Sequence, residues 1–343
     1  MRRAPTFWRQ RSLYAASLLP ASALFRSLSS VRRKLYLHGI LRRERLPVPV
    51  IVVGNIAVGG SGKTPAVLWL VEELRKVGRH PGIVSRGYGG QAEAGNTPRL
   101  VVAGPGSGPD PDFYGDEPAM LAKSAGCPVS VGVDRPAAAR ALLAAHPECD
   151  VIVSDDGMQH YRLARTVEIA VVDEATLGNC WPLPSGPLRE PLARLAEVDL
   201  ILAHGELSPR LRAAVGTVPV ASMRLVGERF RSLTKPDEWC DTEAFIGRKV
   251  HALAGIGQPQ RFFNQLTAMG LDIIPHPFPD HYRYRADDLD FTPGKTWVMT
   301  SKDAVKCAAF APPDAWELPV RALIDAGAIA PILEKLDDGR QAA

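Results

Sequence analysis

The stretch that most constrains the fold is VPVIVVGNIAVGGSGKT, at residues 48–64. It begins with an unbroken apolar run, Val48 to Val53, which is typical of a strand buried on both faces of a parallel sheet. Glycines then lead into Gly62-Lys63-Thr64, and apolar residues at helical spacing follow as far as Gly78. A strand, a glycine-rich loop, GKT and a helix in this order predict a phosphate-binding P-loop within an α/β fold.

Each residue type in this motif has a physical role. Backbone N–H groups of the loop would cradle phosphates at the helix N-terminus, where the helix dipole favours negative charge. Lys63 would reach the β- and γ-phosphates of a nucleotide, and the Thr64 hydroxyl would bind Mg²⁺. An ordinary glycine-rich turn is the alternative, because Ala57 stands where the motif usually has glycine. The predicted phosphate-binding residues are Ala57, Val58, Gly59, Gly60, Ser61, Gly62, Lys63 and Thr64.

A second apolar run, Val151 to Ser154, ends in two adjacent acids, Asp155 and Asp156. A carboxylate at the tip of a buried strand, downstream of a P-loop, is typical of the Mg²⁺ site of P-loop enzymes. Either aspartate could be the ligand, and a plain strand end without metal is the alternative. The sequence therefore predicts a magnesium site formed by Thr64, Asp155 and Asp156.

Three polar loops follow or connect predicted strands of the same sheet. Open α/β sheets bind ligands beyond the carboxyl ends of their strands, and an arginine there could meet a phosphate. A loop arginine that simply faces solvent is the alternative. The loop residues that are predicted to bind substrate are Arg86, Tyr88, Gln159, His160, Arg189 and Glu190.

Residues 103–115 form a loop rich in glycine and proline, which leads into Asp116-Glu117-Pro118. The next residues, Ala119 to Ala125, are predicted to be helical. An acidic pair at the start of a helix often only caps the helix and complements its dipole. A catalytic carboxylate delivered by a mobile loop is the second interpretation, and the spacing of the residues leaves both open.

Charge is distributed unevenly along the chain. Residues 1–46 hold eleven Lys and Arg and one acid, Glu44, a balance of +10, whereas the whole chain has a net charge of +4. This segment contains the uncharged stretch 12–25, whose 14 residues are too few to span a bilayer, for which about 20 are needed. The basic residues around it are Arg9, Arg11, Arg26, Arg32, Arg33 and Lys34.

An apolar segment beside clustered basic residues is typical of a helix that lies on an anionic membrane surface. A signal peptide, which has a similar apolar core, and a basic amphipathic helix packed on its own protein are the alternatives. Nucleic acid is another partner of basic clusters, but no recognition motif accompanies this one, so we expect no nucleic acid. Five scattered cysteines without CxxC spacing indicate a reducing compartment.

Strands and helices alternate again after about residue 220. Because no hairpin signal interrupts them, they predict a second, smaller parallel sheet. The segments 220–233 and 316–323 are predicted to be extended connectors between the two units. The predicted divisions are 1–46 (membrane-associated helical segment), 47–220 (P-loop domain), 221–235 (linker strand), 236–313 (smaller α/β domain) and 314–343 (return linker strand and C-terminal helix).

Nine motifs occur in a characteristic order across roughly residues 7–325: LLPASALF…RRKLY, VGNIAVGGSGKTP, SRGYGG, GDEP, SDDGMQH, GPLREP, AGIGQPQRFF, DHYRY and TSKDAVK. Together they resemble the tetraacyldisaccharide 4′-kinase family of the lipid A pathway in Gram-negative bacteria. A small residue is common in that family where Ala57 stands, whereas Ser301 replaces a common Glu.

The resemblance implies a kinase that uses ATP and Mg²⁺ to phosphorylate the 4′-hydroxyl of a lipid A disaccharide 1-phosphate. It implies that Asp116 is the general base, that His281 positions or tunes it, and that Lys63 serves the transferred phosphate. It also implies a P-loop domain and a smaller α/β domain joined by a two-strand linker. The N-terminal helix would lie peripherally on the cytoplasmic face of the inner membrane, which suits an anionic acceptor embedded in a bilayer.

The competing class is a membrane-associated P-loop ATPase switch. Those proteins share the GGxGKT shape but carry a second lysine just before the two glycines, where this chain has Val58. The missing lysine favours the kinase.

Overall fold

Two β-sheets with helices on their faces make up the protein in this computed structural model, which describes residues 5–94, 97–102, 108–289 and 294–338. The first sheet and its helices form the first lobe, and the second sheet and its helices form the second lobe. The strands in chain order are β1 (Val50–Gly54), β2 (Pro81–Ser85), β3 (Arg99–Leu100), β4 (Val129–Val131), β5 (Val151–Asp155), β6 (Val167–Val172), β7 (Leu200–His204), β8 (Val220–Val226), β9 (Phe230–Ser232), β10 (Trp239–Cys240), β11 (Lys249–Ala254), β12 (Asp272–Pro277), β13 (Thr296–Thr300), β14 (Ala315–Leu318) and β15 (Arg321–Ile324).

Helices precede, separate and follow these strands. They are α1 (Leu13–Ser17), α2 (Leu19–Leu37), α3 (Lys63–Lys76), α4 (Gln91–Ala94), α5 (Pro111–Tyr114), α6 (Asp116–Ser124), α7 (Arg135–Ala145), α8 (Glu174–Leu177), α9 (Pro209–Val215), α10 (Pro259–Ala268), α11 (Ser301–Cys307) and α12 (Ala330–Asp337). Residues 103–107 of the predicted glycine- and proline-rich loop lie outside the described residues, and the end of that loop contains α5.

The described strands of the first sheet follow the order β15-β8-β7-β6-β1-β5-β2-β4-β3. Neighbouring strands are parallel except at the two edges, where β15 and β3 run antiparallel to their neighbours. Because parallel strands end at one edge of a sheet, the loops after β1, β2, β5 and β6 gather on the same side. This edge is the crevice where open α/β sheets bind ligands. The predicted P-loop fold class is confirmed.

Alternate residues of β1 enter two different cores, because successive side chains of a strand point to opposite faces. Ile51 packs with Leu70 of α3 on one face. Val52 packs with Leu142 of α7 on the other face. Both faces of the strand are thereby covered, which explains its unbroken apolar sequence.

The second sheet is mixed, which corrects the prediction of a parallel sheet. Its described strands follow the order β10-β9-β14-β13-β11-β12. The strands β12, β11, β13 and β14 are parallel, whereas β9 runs antiparallel to both β14 and β10. The strands β9 and β10 have only three and two residues, so they are too short to produce a periodic sequence pattern.

The chain crosses between the lobes twice within the described residues. β8 belongs to the first sheet and β9, which follows it, to the second. On the return path β14 belongs to the second sheet and β15 to the first. The predicted connectors are therefore strands of both sheets. The second sheet extends from 230 to 318, beyond the predicted 236–313, while the domain boundaries themselves stay a prediction.

Helix α2 packs on the first lobe with one face and exposes apolar side chains on another. Ser22 is buried, and its hydroxyl donates to the Pro182 carbonyl at 3.0 Å. Leu24 and Leu28, one turn apart, are each 62% exposed. Among the described helices, none combines the length and the apolar character needed to cross a membrane.

A buried ion cluster ties β6 to the segment that follows residue 190. Glu168 accepts a hydrogen bond from Arg165 at 2.6 Å and pairs with Arg194, and all three side chains are nearly inaccessible. Burial would raise the pKa of Glu168, but the two guanidinium groups outweigh burial and lower it. Among the described residues, Arg165 pairs with Glu168 alone, whereas Arg194 also lies 3.2 Å from Oε2 of the buried Glu190.

We predict that Glu168→Gln lowers the free energy of unfolding by about 3–5 kcal/mol, because it leaves the buried guanidinium group of Arg165 without its counterion and Arg194 with Glu190 as its remaining buried partner. Because folding lowers the pKa of Glu168, the difference from wild type should be full above the ordinary value of 4.5 and should shrink as the pH falls below it. Urea denaturation at several pH values measures this. The control Glu72→Gln removes an exposed partner of Lys76 and should change stability by less than about 1 kcal/mol. Equal midpoints for the two variants would contradict the prediction.

Candidate active site

The P-loop starts where β1 ends and closes onto the first turn of α3. Gly62 caps the helix in a left-handed conformation with φ 80°, and α3 begins at Lys63. Two side chains hold Ser61: Asn55 Nδ2 donates to its hydroxyl at 3.0 Å, and His204 Nε2 donates to its carbonyl at 3.1 Å. The loop is therefore fixed with its N–H groups at the positive end of a helix, where an anion is stabilised.

The two aspartates at the end of β5 have different partners. Asp155 is buried; its Oδ2 accepts from the Ser85 hydroxyl at 3.1 Å, and its Oδ1 has no hydrogen-bond partner. Asp156 lies 3.6 Å from Lys63 Nζ and accepts from Arg189 Nη1 at 3.1 Å. The φ of Asp156 is 47°, a strained value for a residue other than glycine, of the kind that clusters at functional sites.

These partners separate the pKa values of the two neighbours. Burial, Glu117 and Asp156 raise the pKa of Asp155 to about 7. Burial also acts on Asp156, but Lys63 and Arg189 outweigh it and lower the pKa to about 2. A divalent cation would favour the charged form of a buried carboxyl group with an unpaired oxygen. Asp155 therefore fits a metal ligand better than Asp156, whose charge already meets two cations.

Within the described ranges, no group of three or more His, Cys, Asp and Glu side chains could hold a metal ion. Mg²⁺ does not need such a group, because it keeps several waters and takes one or two carboxylates together with substrate phosphates. Thr64 at the start of α3 and the unpaired Oδ1 of Asp155 fit a site of this sparse kind.

Asp116 and His281 meet although 165 positions separate them in the chain. His281 Nδ1 lies 3.1 Å from Asp116 Oδ2. Asp116 opens α6 in the first lobe, and His281 follows β12 in the second lobe with a φ of 58°. The N-cap of α6 is Gly115, and no side chain caps this helix. The Asp116 carboxylate therefore contacts the other lobe rather than the N–H groups of its own helix.

The surroundings of Asp116 keep its carboxyl group ionised. Burial would raise the pKa of Asp116, but the hydrogen bond to His281 and the charges of Lys306 and Lys302 outweigh burial and lower it. Lys306 Nζ lies 3.8 Å from the same Oδ2 atom that contacts His281. At neutral pH this buried carboxylate is therefore a proton acceptor.

Three charged residues around this pair had no assigned role at the level of sequence. Lys302 Nζ lies 3.1 Å from Asp280 Oδ1 and 3.4 Å from Glu117 Oε1. All three belong to motifs that carry the family resemblance, GDEP, DHYRY and TSKDAVK. Their position in these motifs could have marked them as candidate site residues. Only the fold, however, brings the start of α11 against the start of α6.

One cavity of about 1570 Å³ joins the P-loop to His281; Asp116 is not among its lining residues, whereas the adjacent Glu117 is. From the first lobe it is lined by residues 58–65 of the P-loop together with Asp155 and Asp156. From the second lobe it is lined by residues that follow β11, β12 and β13, among them His281 and Lys302. The carboxyl ends of parallel strands in both sheets therefore meet at a single cleft.

Five of the six residues predicted to bind substrate line this cavity: Arg86, Tyr88, Gln159, Arg189 and Glu190. The Tyr88 ring lies 5.4 Å from the ring of His281. Gln159 Nε2 donates to Glu190 Oε1 at 2.7 Å, which joins two of the predicted loops. The structure thus gathers these residues around the P-loop.

His160 is the sixth predicted residue, and the structure does not bring it to the cavity. Its side chain is largely enclosed, and burial together with Arg135 and Arg165 lowers its pKa to about 4. The backbone carbonyl of His160 accepts from Arg165 at 2.8 Å. The side chain of His160 therefore does not line the cavity, although its neighbour Gln159 does.

Basic residues of α2 also face this cavity rather than solvent alone. Arg26, Arg32, Arg33 and Lys34 are among the lining residues. Arg33 pairs with Glu197, and Arg32 donates to the Gln159 carbonyl at 3.4 Å. These charges were predicted to attract a membrane, which stays a prediction; two of them also contact the protein, through Glu197 and the Gln159 carbonyl.

Comparison with known proteins gives the same family along the whole chain. The family described as Tetraacyldisaccharide-1-P 4′-kinase matches residues 14–337. A tetraacyldisaccharide 4′-kinase from Azoarcus sp. (strain BH72) is 62% identical over 99% of this chain and 97% of its own length. A tetraacyldisaccharide 4′-kinase from Aromatoleum aromaticum is 60% identical over 100% of this chain and 99% of its own length.

A solved structure is similar as well. It is the "apo" form of LpxK from Aquifex aeolicus in complex with ATP. The two folds superpose with a TM-score of 0.79 at 28% sequence identity, over 95% of this chain and 99% of the other. The predicted family resemblance is therefore confirmed.

We predict that Gly62→Ala weakens binding of a magnesium–nucleotide complex by about tenfold or more. An added Cβ would meet His204 Nε2 at 2.7 Å, so His204 must move and give up its hydrogen bond to the Ser61 carbonyl. The loop would then no longer be held in place by His204, and its charge-assisted hydrogen bonds to phosphate, worth about 1.5–3 kcal/mol each, would weaken. Gly78→Ala is the matched control, because φ is 81° there and nothing lies within 4 Å. Both variants should lose about 1–2 kcal/mol of stability from the left-handed backbone. Calorimetric titration with ATP distinguishes them, and equal affinities would contradict the prediction.

Proposed function

This chain belongs to the tetraacyldisaccharide-1-P 4′-kinase family, and from that premise we propose how its own residues carry out the reaction. The enzyme transfers the γ-phosphate of ATP, with Mg²⁺, to the 4′-hydroxyl of a tetraacyldisaccharide 1-phosphate in lipid A biosynthesis. The observation that carries the residue assignments is the 3.1 Å contact between Asp116 and His281, because His281 lines the cleft that also contains the P-loop. The comparisons give the alternative, a P-loop ATPase switch, no support.

In our assignment, residues 57–64 bind the phosphates of ATP, and Lys63 reaches the phosphoryl group that is transferred. The support is a loop already held in shape by hydrogen bonds to Ser61, because donors that need no reorganisation stabilise developing charge best. Thr64 and Asp155 would hold Mg²⁺, which neutralises charge on the β- and γ-phosphates when it is bound. Asp156 would keep Lys63 and Arg189 in place, as their present contacts suggest.

We assign Asp116 as the general base. It accepts the proton of the 4′-hydroxyl while that oxygen bonds to the γ-phosphorus, and the bond from this phosphorus to the β-phosphate oxygen breaks to release ADP. Its lowered pKa supplies the ionised form, and the loose transition state of phosphoryl transfer asks for positioning more than for a strong base. His281 donates to Asp116 and so fixes the orientation of the carboxylate.

We assign the head group of the acceptor to the part of the cavity near Arg86, Tyr88, Gln159, Arg189 and Glu190. These residues line the same space as the P-loop and His281, so an acceptor hydroxyl could approach the γ-phosphate from there. His160 has no such support, because it does not line the cavity, and its role stays a prediction.

We also propose that α1 and α2 dock the enzyme peripherally on the cytoplasmic face of the inner membrane. The support is a set of apolar side chains that face solvent on these helices: Leu13, Tyr14, Leu24, Leu28 and Val31. The basic residues of the same helix line the cavity, so a lipid at this surface could enter the cleft with its anionic head group first. The five free cysteines suit a reducing compartment, which favours the cytoplasmic face.

We predict that Asp116→Asn lowers kcat by about 10²–10⁴-fold while ATP binding persists, because the proton acceptor is lost. His281→Ala should also lower kcat, and the double variant should lose less than the product of the two single losses, since the pair acts as a unit. The assay follows transfer from γ-labelled ATP to the disaccharide 1-phosphate in detergent micelles. Asp110→Asn is the control, because Asp110 only caps the neighbouring helix α5. Near-normal kcat for folded Asp116→Asn would exclude the base assignment.

We predict that the double substitution Leu24→Ser and Leu28→Ser weakens vesicle binding by roughly tenfold to a hundredfold, because two exposed leucines no longer enter the bilayer. Flotation with vesicles that contain phosphatidylglycerol measures the bound fraction. The loss should persist at high salt, since salt screens charge and not apolar insertion. Ile246→Ser, at an equally exposed apolar position on the second lobe, is the control and should bind as wild type does. Unchanged flotation of the double variant would argue against this docking surface.

A further inference from the structure

Lys302 lies at the junction of the two lobes and contacts the ring of His281. It is the second residue of α11, and its side chain is only 14% exposed. Its Nζ lies 3.4 Å from His281 Nε2, 3.1 Å from Asp280 Oδ1 and 3.4 Å from Glu117 Oε1. One enclosed ammonium group therefore faces two carboxylates and one ring nitrogen.

Lys302 carries its charge in this position. Burial would lower the pKa of a lysine, but Glu117, Asp280 and Asp116 outweigh burial and raise the pKa of Lys302. A charged ammonium group has three N–H donors and no acceptor. Each of its three neighbours must therefore offer a lone pair.

This requirement decides which nitrogen of His281 holds the proton. The nearest neighbour of Nε2 is this ammonium group at 3.4 Å, whereas Asp280 Oδ1 is further away at 3.8 Å. Because the ammonium group can only donate, Nε2 accepts and carries no hydrogen. The ring proton of the neutral histidine is then on Nδ1, which donates to Asp116 Oδ2 at 3.1 Å. Hydrogen bonds run in one direction, from Lys302 through His281 to Asp116.

We propose that Lys302 is a positioning residue for the kinase reaction: by donating to His281 Nε2 it selects the Nδ1–H tautomer that orients Asp116. This inference rests on the proposed role of Asp116 as the general base. Without Lys302 the imidazole could hold its proton on Nε2, and Nδ1 would then turn a lone pair towards the Asp116 carboxylate. The two groups would repel each other, and the carboxylate would lose its fixed direction.

The proposal also distinguishes the two oxygens of Asp116. Oδ2 accepts from His281 and lies 3.8 Å from Lys306 Nζ. Oδ1 is then the atom that takes the proton of the acceptor hydroxyl. In this proposal Oδ2 fixes the orientation of Asp116, and Oδ1 accepts the proton.

A different role is conceivable for a lysine that lines the cavity, namely direct contact with a phosphate of ATP. The two roles predict different kinetics. A phosphate contact made in the ground state would raise the KM for ATP when it is removed. A positioning residue would leave that KM unchanged and lower kcat, because it acts only through the orientation of Asp116.

The tautomer is measured directly on the wild-type enzyme. Among the eight histidines, labelled with ¹⁵N, the His281 signals are identified by their absence from His281→Gln. The protonated and the unprotonated ring nitrogen have well-separated ¹⁵N shifts, so the spectrum reports which one carries the hydrogen. We expect Nδ1–H in wild type and in Lys302→Arg, which keeps a charged donor, and Nε2–H or a mixture in Lys302→Met.

Kinetics complete the test with the same variants. Lys302→Met should lower kcat by about tenfold or more with an unchanged KM for ATP, because a misplaced catalytic group is costly, and Lys302→Arg should recover part of the loss. Lys235→Met, at an exposed lysine of the second lobe, should retain wild-type kcat. Thermal unfolding of each variant confirms that it is folded.

An Nε2–H tautomer in wild type would overturn the proposal even if Lys302→Met fails to fold. An unchanged tautomer, an unchanged kcat or a raised KM for ATP in folded Lys302→Met would overturn it as well. Failure of the base assignment is recognised separately, by normal turnover of Asp116→Asn, since that result does not depend on the tautomer of His281.

Discussion

The hydrogen bond between His281 and Asp116 is the contact on which the rest of the site depends. Its partners stand 165 positions apart and belong to different lobes, so it exists only when both sheets have folded and the cleft between them is closed. Each lobe holds its own partner: α6 begins with Asp116, and the left-handed backbone of His281 follows β12. In the reaction that we propose, a pair assembled in this way would couple closure of the cleft to completion of the catalytic group.

Neighbouring acids in this cleft behave differently because their surroundings differ. Asp155 and Asp156 are joined by one peptide bond, yet one pKa rises to about 7 and the other falls to about 2. Burial and the charge of Lys63 act on both groups; the difference arises because Arg189 pairs with Asp156, whereas Glu117 and Asp156 itself raise the pKa of Asp155. The result is one carboxylate with an oxygen left for a metal and another that organises Lys63. Asp116 follows the same principle, since its partner ions decide its charge against the effect of burial.

The N-terminal helix departs from the usual arrangement of a surface helix. A helix on a soluble protein normally turns its apolar stripe inwards and its charges outwards. On α2 the buried contact is made by Ser22, two arginines turn towards the cavity, and Leu24 and Leu28 face outwards. Exposed leucines beside basic residues are typical of a helix that contacts a lipid surface, as we propose for α2.

The sequence by itself determined the P-loop, the acidic strand tip, the α/β class and the family. Each of these features depends on short runs of contiguous residues, whose pattern can be recognised without knowing the tertiary contacts. It also named Asp116 and His281, through motifs rather than through any sign that they meet. Only the tertiary structure decided that Asp155 keeps an oxygen without a hydrogen-bond partner, that Lys302 faces His281, that the second sheet is mixed and that Arg32 and Arg33 of α2 contact the protein. These are contacts between distant segments, and they depend on how two sheets pack, which is the sum of many weak interactions spread over the whole chain.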